Sequence, residues 1–203
     1  MTSHLKLTLL FALISPGLWQ VALHLPQAVE EWRHLPTTAL ANVLSKPHAP
    51  YLTYIPELRW GGRALHRNDP ISRLTYSKGL FLLNESFDYL QYLTPRLYFA
   101  AGDGTPFSPS RLEPIAFPLF FFWLIGLIQL IKHKRFVLLG LMLLTPLPAF
   151  LTGHKNLSLL LPTLVTYIYL SAVGWQAAKK PRLALPLALY GFYLITMNLW
   201  LNY

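Results

Sequence analysis

The chain contains no cysteine. That excludes a disulfide framework, a Cys-ligated zinc site and an iron–sulfur cluster, and it fits either side of a membrane. Charge is scarce as well: 12% of the 203 residues are charged, about half the share of a soluble domain. Acidic residues are the rarest of these, and all eight (Glu30, Glu31, Glu57, Asp69, Glu85, Asp88, Asp103, Glu113) lie between Leu25 and Pro114. The seven histidines show no i, i+4 pairing, so no metal site is expected. No P-loop, dinucleotide fingerprint or nucleophile elbow occurs, and no cofactor is expected.

Apolar residues dominate instead, at 54% of the chain with mean hydropathy +0.39. The net charge of +9 does not form a nucleic-acid face. Nine basic residues share the Leu25–Pro114 stretch with the eight acids, and most of the remainder sit in short links between apolar runs, a pattern of topology control.

Crossing a hydrocarbon core takes about 20 apolar residues. Four runs approach this length: Ile115 to Ile131, Phe136 to Thr152, Leu157 to Trp175 and Leu183 to Leu201. A fifth, Leu7 to Leu23, is interrupted by Pro16, Gly17 and Gln20. Backbone polar groups go unpaired in lipid unless the segment is helical. The expected fold is therefore all-α and integral to the membrane. Its parts are a first transmembrane helix over 1–24, an extracytoplasmic domain over 25–114, and a four-helix transmembrane domain over 115–203. Pro118, Pro146, Pro148, Pro162 and Pro186 predict kinks, with Pro146 and Pro148 breaking the third helix near its outer end. Trp123, Trp175 and Trp200 either anchor the interface or pack in the bundle.

The links Lys132-His133-Lys134-Arg135 and Lys179-Lys180-Pro181-Arg182 each carry three fixed positive charges, against one in Gly153-His154-Lys155-Asn156. The richer links belong on the cytoplasmic side. The N-terminus is then cytoplasmic, with residues 25–114 and the C-terminus outside an inner (plasma) membrane. The first segment also has the n- and h-regions of a signal peptide, but no small-x-small cleavage site follows within Gln20 to Gln27, so a retained helix is expected.

Within the outer segment, the half rich in Pro, His and Gly is expected to be irregular, with short helices around Gln27–Trp32 and Thr37–Leu44. Asn68-Asp69-Pro70 predicts a helix start. Tyr76, Leu80, Leu83, Phe87 and Leu90 then mark one face of an amphipathic helix ending before Pro95. Such a face seeks a partner, either the membrane surface or the bundle, and packing on the bundle is the expectation. Asn84-Glu85-Ser86 and Asn156-Leu157-Ser158 fit the short glycosylation pattern.

Residues 71–175 carry a resemblance. The stretch from Asp88 through Thr94-Pro95 to Gly102-Asp103, then Thr145-Pro146-Leu147-Pro148-Ala149-Phe150-Leu151-Thr152, then Leu161-Pro162, resembles in order and spacing the C-terminal part of bacterial GT-C type membrane glycosyltransferases. These are relatives of protein O-mannosyltransferases and lipid A aminoarabinose transferases. The resemblance implies sugar transfer from a polyprenyl phosphate to an acceptor outside the membrane. Such chemistry requires a carboxylate to take the acceptor's proton and cations to hold the departing phosphate. Asp103, Asp88 and Glu85 are the candidate carboxylates; His154 and Lys155 are the candidate phosphate ligands. The bland roles are a turn for Asp103, a solvated helix face for Glu85 and Asp88, and an interfacial lysine for Lys155.

The chain departs from that family in three places. Nothing aligns with the family's N-terminal half, whose first outer loop supplies its catalytic aspartate. Gly104-Thr105-Pro106-Phe107 stands where an Arg-His pair is usual, and Asn156, beside Lys155, stands where an arginine is frequent. Two functions follow. One is a non-catalytic scaffold or accessory subunit that binds membrane lipids and other integral membrane proteins. The other is part of a lipid-linked-sugar glycosyltransferase completed by a partner chain.

Overall fold

The computed structural model describes residues 3–45, 70, 80–100, 102, 104–110, 112–178, 189–194 and 196. Among these the secondary structure is helical, apart from a single β-bridge between Thr105 and Ser108. The helices are α1 (Ser3–Leu13), α2 (Pro16–Leu23), α3 (Leu25–Ser45), α4 (Leu80–Gln91), α5 (Arg96–Phe99), α6 (Leu119–Lys132), α7 (Phe136–Leu144), α8 (Leu147–Thr152) and α9 (Leu161–Ala178). Residues 189–194 are also helical.

Proline sets most of the breaks. The first apolar run is two helices, bent by 68° between Leu5–Leu13 and Pro16–Leu23. Pro16 has no N–H to continue α1 and instead opens α2, while Ser15 Oγ turns back to donate to the Phe11 carbonyl at 2.6 Å. The run from Phe136 breaks between Leu144 and Leu147, at Pro146, where the proline pair leads one to expect it. The two short outer helices anticipated around Gln27–Trp32 and Thr37–Leu44 are one continuous 21-residue helix, α3, which contains Pro36. Pro36 removes one backbone hydrogen bond, but α8 supports the far half of α3: Asn42 Nδ2 donates to the Leu151 carbonyl at 2.8 Å.

These breaks keep the helices short. Among the described residues no single helix is long and apolar enough to cross a membrane; the bent pair formed by α1 and α2 passes that test only together. The 14 residues of α6 extend about 21 Å, against a hydrocarbon core of about 30 Å. Of the expected run from Leu183 to Leu201, only residues 189–194 and 196 lie within the described set.

The core lies where α6 and α9 cross. Gly126 sits against the Leu170 carbonyl and Gly174 against the Phe122 carbonyl, so the two backbones touch with no side chain between them. Above this crossing Tyr167 and Trp123 pack at 5.0 Å between ring centroids, with Phe99 stacked on Tyr167 at 6.0 Å. Beside it Trp175 packs on Phe122 at 4.7 Å and takes the edge of Phe11 from α1 at 5.8 Å.

The outside of this bundle is apolar. Val137 is 78% exposed, Phe136 64%, and Ile128 60%, and Leu9, Leu13, Phe121, Leu141 and Leu144 are exposed with them. The amphipathic helix expected from Pro70 onward is α4 over its described part, and Tyr76 lies outside the described residues. Its stripe does not pack on the bundle: Leu83, Phe87 and Leu90 are all exposed. The helix docks through another face instead, where Tyr89 donates to the Leu143 carbonyl and both Tyr89 and Tyr92 set ring edges against Phe150. Aromatic edges with a hydroxyl to place outcompete the plain aliphatic stripe for this contact.

One carboxyl is partly shielded where the chain enters the bundle ahead of α6. Glu113 accepts from the Phe117 N–H at 2.8 Å and from the Tyr190 hydroxyl at 2.9 Å. Loss of solvation raises its pKa despite these bonds. A carboxyl raised in the folded state binds more protons there than when unfolded. Its contribution to stability is complete below the ordinary carboxylate pKa and declines as the pH rises through the raised one. This group therefore lowers the thermal midpoint as the pH rises above the ordinary carboxylate range, and E113Q should remove that part of the slope. An unchanged slope in E113Q would assign the dependence elsewhere.

Candidate functional site

A cleft of about 900 Å³ lies between α3, the turn from Thr152 to Leu159, and the Thr105–Phe107 loop. α3 presents Gln27, Glu30, Glu31, His34 and Thr38 to it, one face of the helix at spacings of three and four. The opposite wall carries His154, Lys155 and Asn156.

The turn owes its shape to Gly153, which ends α8 in the left-handed conformation at φ 73°. It then presents polar groups to both flanking helices. Asn156 Nδ2 donates to Glu31 Oε1 at 2.5 Å and Ser158 Oγ donates to Glu31 Oε2 at 3.0 Å. Asn156 Oδ1 accepts from the Ser158 N–H at 3.1 Å, holding the amide in place. One residue along α3, Trp32 Nε1 donates to the Ser158 carbonyl at 3.0 Å. Lys155 Nζ reaches the other way and donates to Gln91 Oε1 on α4 at 2.6 Å, 5.7 Å from the centroid of the Tyr92 ring. Burial, and then the nearby Asp88 charge, raise the pKa of the Tyr92 phenol. Glu30 stays on its own helix, 4.0 Å from His34 Nε2.

His154 and Lys155, proposed from the sequence as phosphate ligands, thus both line the cleft. The candidate carboxylates fare differently. Asp88 and Glu85 sit on α4 outside the cleft lining, with Asp88 accepting long contacts of 3.4 Å from Asn84 and Gln91. Asp103 lies outside the described residues, although Thr105, Pro106 and Phe107 just beyond it form part of the wall. The carboxylates that do line the cleft, Glu30 and Glu31, were missed. Their signal was present as an acidic pair with His34 on one face of a helix, but nothing in α3 announces its partner more than 120 residues away. Asn156, noted as a glycosylation acceptor and as standing where an arginine is frequent in the resembled family, is nearly buried and holds Glu31. Among the described residues no group of three or more His, Asp or Glu is placed to hold a metal ion.

Chemically, the cleft sets two carboxylates opposite one histidine and one lysine, and it uses Glu31 and Lys155 to join three separate pieces of chain. Compared with protein-family models, curated proteins and solved structures, the chain matches none.

Proposed function

We propose that this chain is a multi-pass membrane protein acting as a non-catalytic scaffold or accessory subunit, with the cleft on its extracytoplasmic side. One observation carries the scaffold role. Both oxygens of Glu31 and the ammonium of Lys155 are engaged in bonds that tie α3 and α4 to the Thr152–Leu159 turn. These bonds leave each group further lone pairs or N–H donors, but what they accomplish is to fix α3 and α4 to the turn. Groups held this way brace a surface. The exposed aliphatic and aromatic side chains around α1, α6 and α7 support membrane embedding, since a monomer in water rarely leaves so much contiguous apolar area uncovered. Lipids and neighbouring membrane proteins are the partners such a surface takes.

A second reading is favoured by the cleft itself: Glu30 and Glu31 share it with His154 and Lys155, the pairing of charge that a lipid-linked-sugar transferase uses. In that case a partner chain supplies the missing acidic first loop.

The native chain is its own cysteine-free background. Single cysteines at Lys134 and Thr38 should report topology by labelling with an impermeant maleimide. Thr38→Cys is expected to label in intact cells and Lys134→Cys only after permeabilisation. The reverse pattern would invert the topology, and extraction of the chain without detergent would end the membrane reading. Purification in mild detergent then separates the two functions. A scaffold brings down a stable complex indifferent to Asp103→Asn, whereas a split transferase loses sugar transfer in that variant.

A further inference from the structure

A second cavity, of about 290 Å³, lies between the last turns of α6 and α9 and is lined by Gln129, Leu130, His133 and Arg135 on one side and Tyr169, Val173, Gln176 and Ala177 on the other. It is at the far end of the molecule from the cleft. Leu159, just ahead of α9, lines the cleft, and Ala177, near its end, lines this cavity, so the 18 residues of α9 separate the two by about 27 Å. We propose that this cavity binds the phosphate of an anionic phospholipid headgroup, with Arg135 and His133 as the principal donors.

The first argument is charge. No aspartate or glutamate occurs between Pro114 and Tyr203. Among the described residues the one ion pair is that of His34 with Glu30 on α3, so Arg135 has no carboxylate partner there. A guanidinium at a cavity with no carboxylate among its described neighbours is suited to an external anion, and its planar fork matches phosphate oxygens two at a time.

The second is a fixed corner. The Lys134 N–H donates to the Ile131 carbonyl at 3.0 Å and the Arg135 N–H to the Leu130 carbonyl at 2.9 Å, with Lys134 left-handed at φ 53°. This pair of bonds is the Schellman helix end. It holds His133 and Arg135 on either side of the turn so that both line the cavity, while Lys134 is not part of the lining. The backbone that carries both donors is therefore fixed before the ligand arrives, and only side-chain freedom remains to be lost on binding.

The third is size and setting. The cavity is just below the roughly 300 Å³ at which pockets for drug-sized ligands begin, so it takes a headgroup and leaves acyl chains outside. Next to its lining residues in the chain, Ile128, Ile131, Phe136 and Val137 are exposed and offer those chains an apolar wall. This last point rests on the membrane reading above, and the test keeps the two apart.

Full-length protein in neutral detergent is titrated with phosphatidylglycerol, phosphatidylcholine and inorganic phosphate, with bound ligand read by native mass spectrometry. Phosphatidylglycerol should bind at least about tenfold more tightly than phosphatidylcholine, a preference of about 1.4 kcal/mol. The double variant H133Q/R135Q should erase that preference. K134Q removes one charge from the same turn and should leave the preference within about twofold. Equal losses in K134Q and H133Q/R135Q would reduce the effect to diffuse attraction and overturn the site. Inorganic phosphate binding as tightly as the lipid would make this a soluble-anion site and overturn the lipid assignment. A chain that stays monodisperse without detergent sinks the membrane reading and the lipid assignment together; the phosphate titration of wild type and H133Q/R135Q then decides the anion site by itself. Matched thermal midpoints confirm that the variants are folded.

Discussion

Gly174→Ala is expected to lower the unfolding free energy by about 3 kcal/mol, at the upper end of the usual overpacking cost. A β-carbon built on Gly174 meets the Phe122 carbonyl oxygen at 1.8 Å and the Gly126 nitrogen at 2.7 Å. Both are backbone atoms, so no side chain can swing aside and the helices must separate. Separation also loosens the rings packed around the crossing, Trp123 against Tyr167 and Phe122 against Trp175. Gly126→Ala meets the Leu170 carbonyl at 2.1 Å and should cost a similar amount. Because both clashes are relieved by the same displacement, the double variant should cost clearly less than the two losses combined. Circular dichroism melts in detergent measure this. A Gly174→Ala midpoint within a degree or so of wild type would mean that α6 and α9 do not pack through their glycines.

The second large effect is expected at Glu31. Glu31→Ala leaves the Asn156 amide and the fully buried Ser158 hydroxyl without their acceptor, at a cost of about 2–3 kcal/mol. Glu31→Gln keeps the shape and one acceptor oxygen and should lose about half as much. Limited proteolysis of α3 gives a local readout, since α3 is held to the turn by Glu31 and Trp32 together. Under the scaffold proposal, cutting within α3 rises in the order wild type, Glu31→Gln, Glu31→Ala, and partner binding weakens in the same order. A Glu31→Gln protein that resists protease like wild type yet stops sugar transfer in its complex would instead identify Glu31 as a reacting group.

These two sites differ in how far the sequence exposes them. The helix break at Pro146 is visible because proline acts on its own neighbours: it lacks an N–H wherever it stands. The end of α4 before Pro95 is visible for the same reason. The exposed stripe of Leu83, Phe87 and Leu90 shows where periodicity stops informing. Period identifies an apolar face but not which face of a helix wins the available partner, and here Tyr89 and Tyr92 won it. At the cleft, His154 and Lys155 were found because they lie in a short link between apolar runs. Glu31 was not, because its role depends on Asn156 and Ser158, which reach it only once the chain has folded.

By itself the amino-acid sequence determined the helical character, the concentration of every acidic residue before Pro114, the basic links, and the proline breaks. Each of these follows from composition or from forces acting over one or two helical turns. Only the tertiary structure decided that Gly126 and Gly174 meet, that Glu31 is the cleft's fixed carboxylate, and that Arg135 borders a cavity whose described lining holds no acid. Those outcomes depend on which surfaces bury each other across long stretches of chain, and local propensity carries no record of that choice.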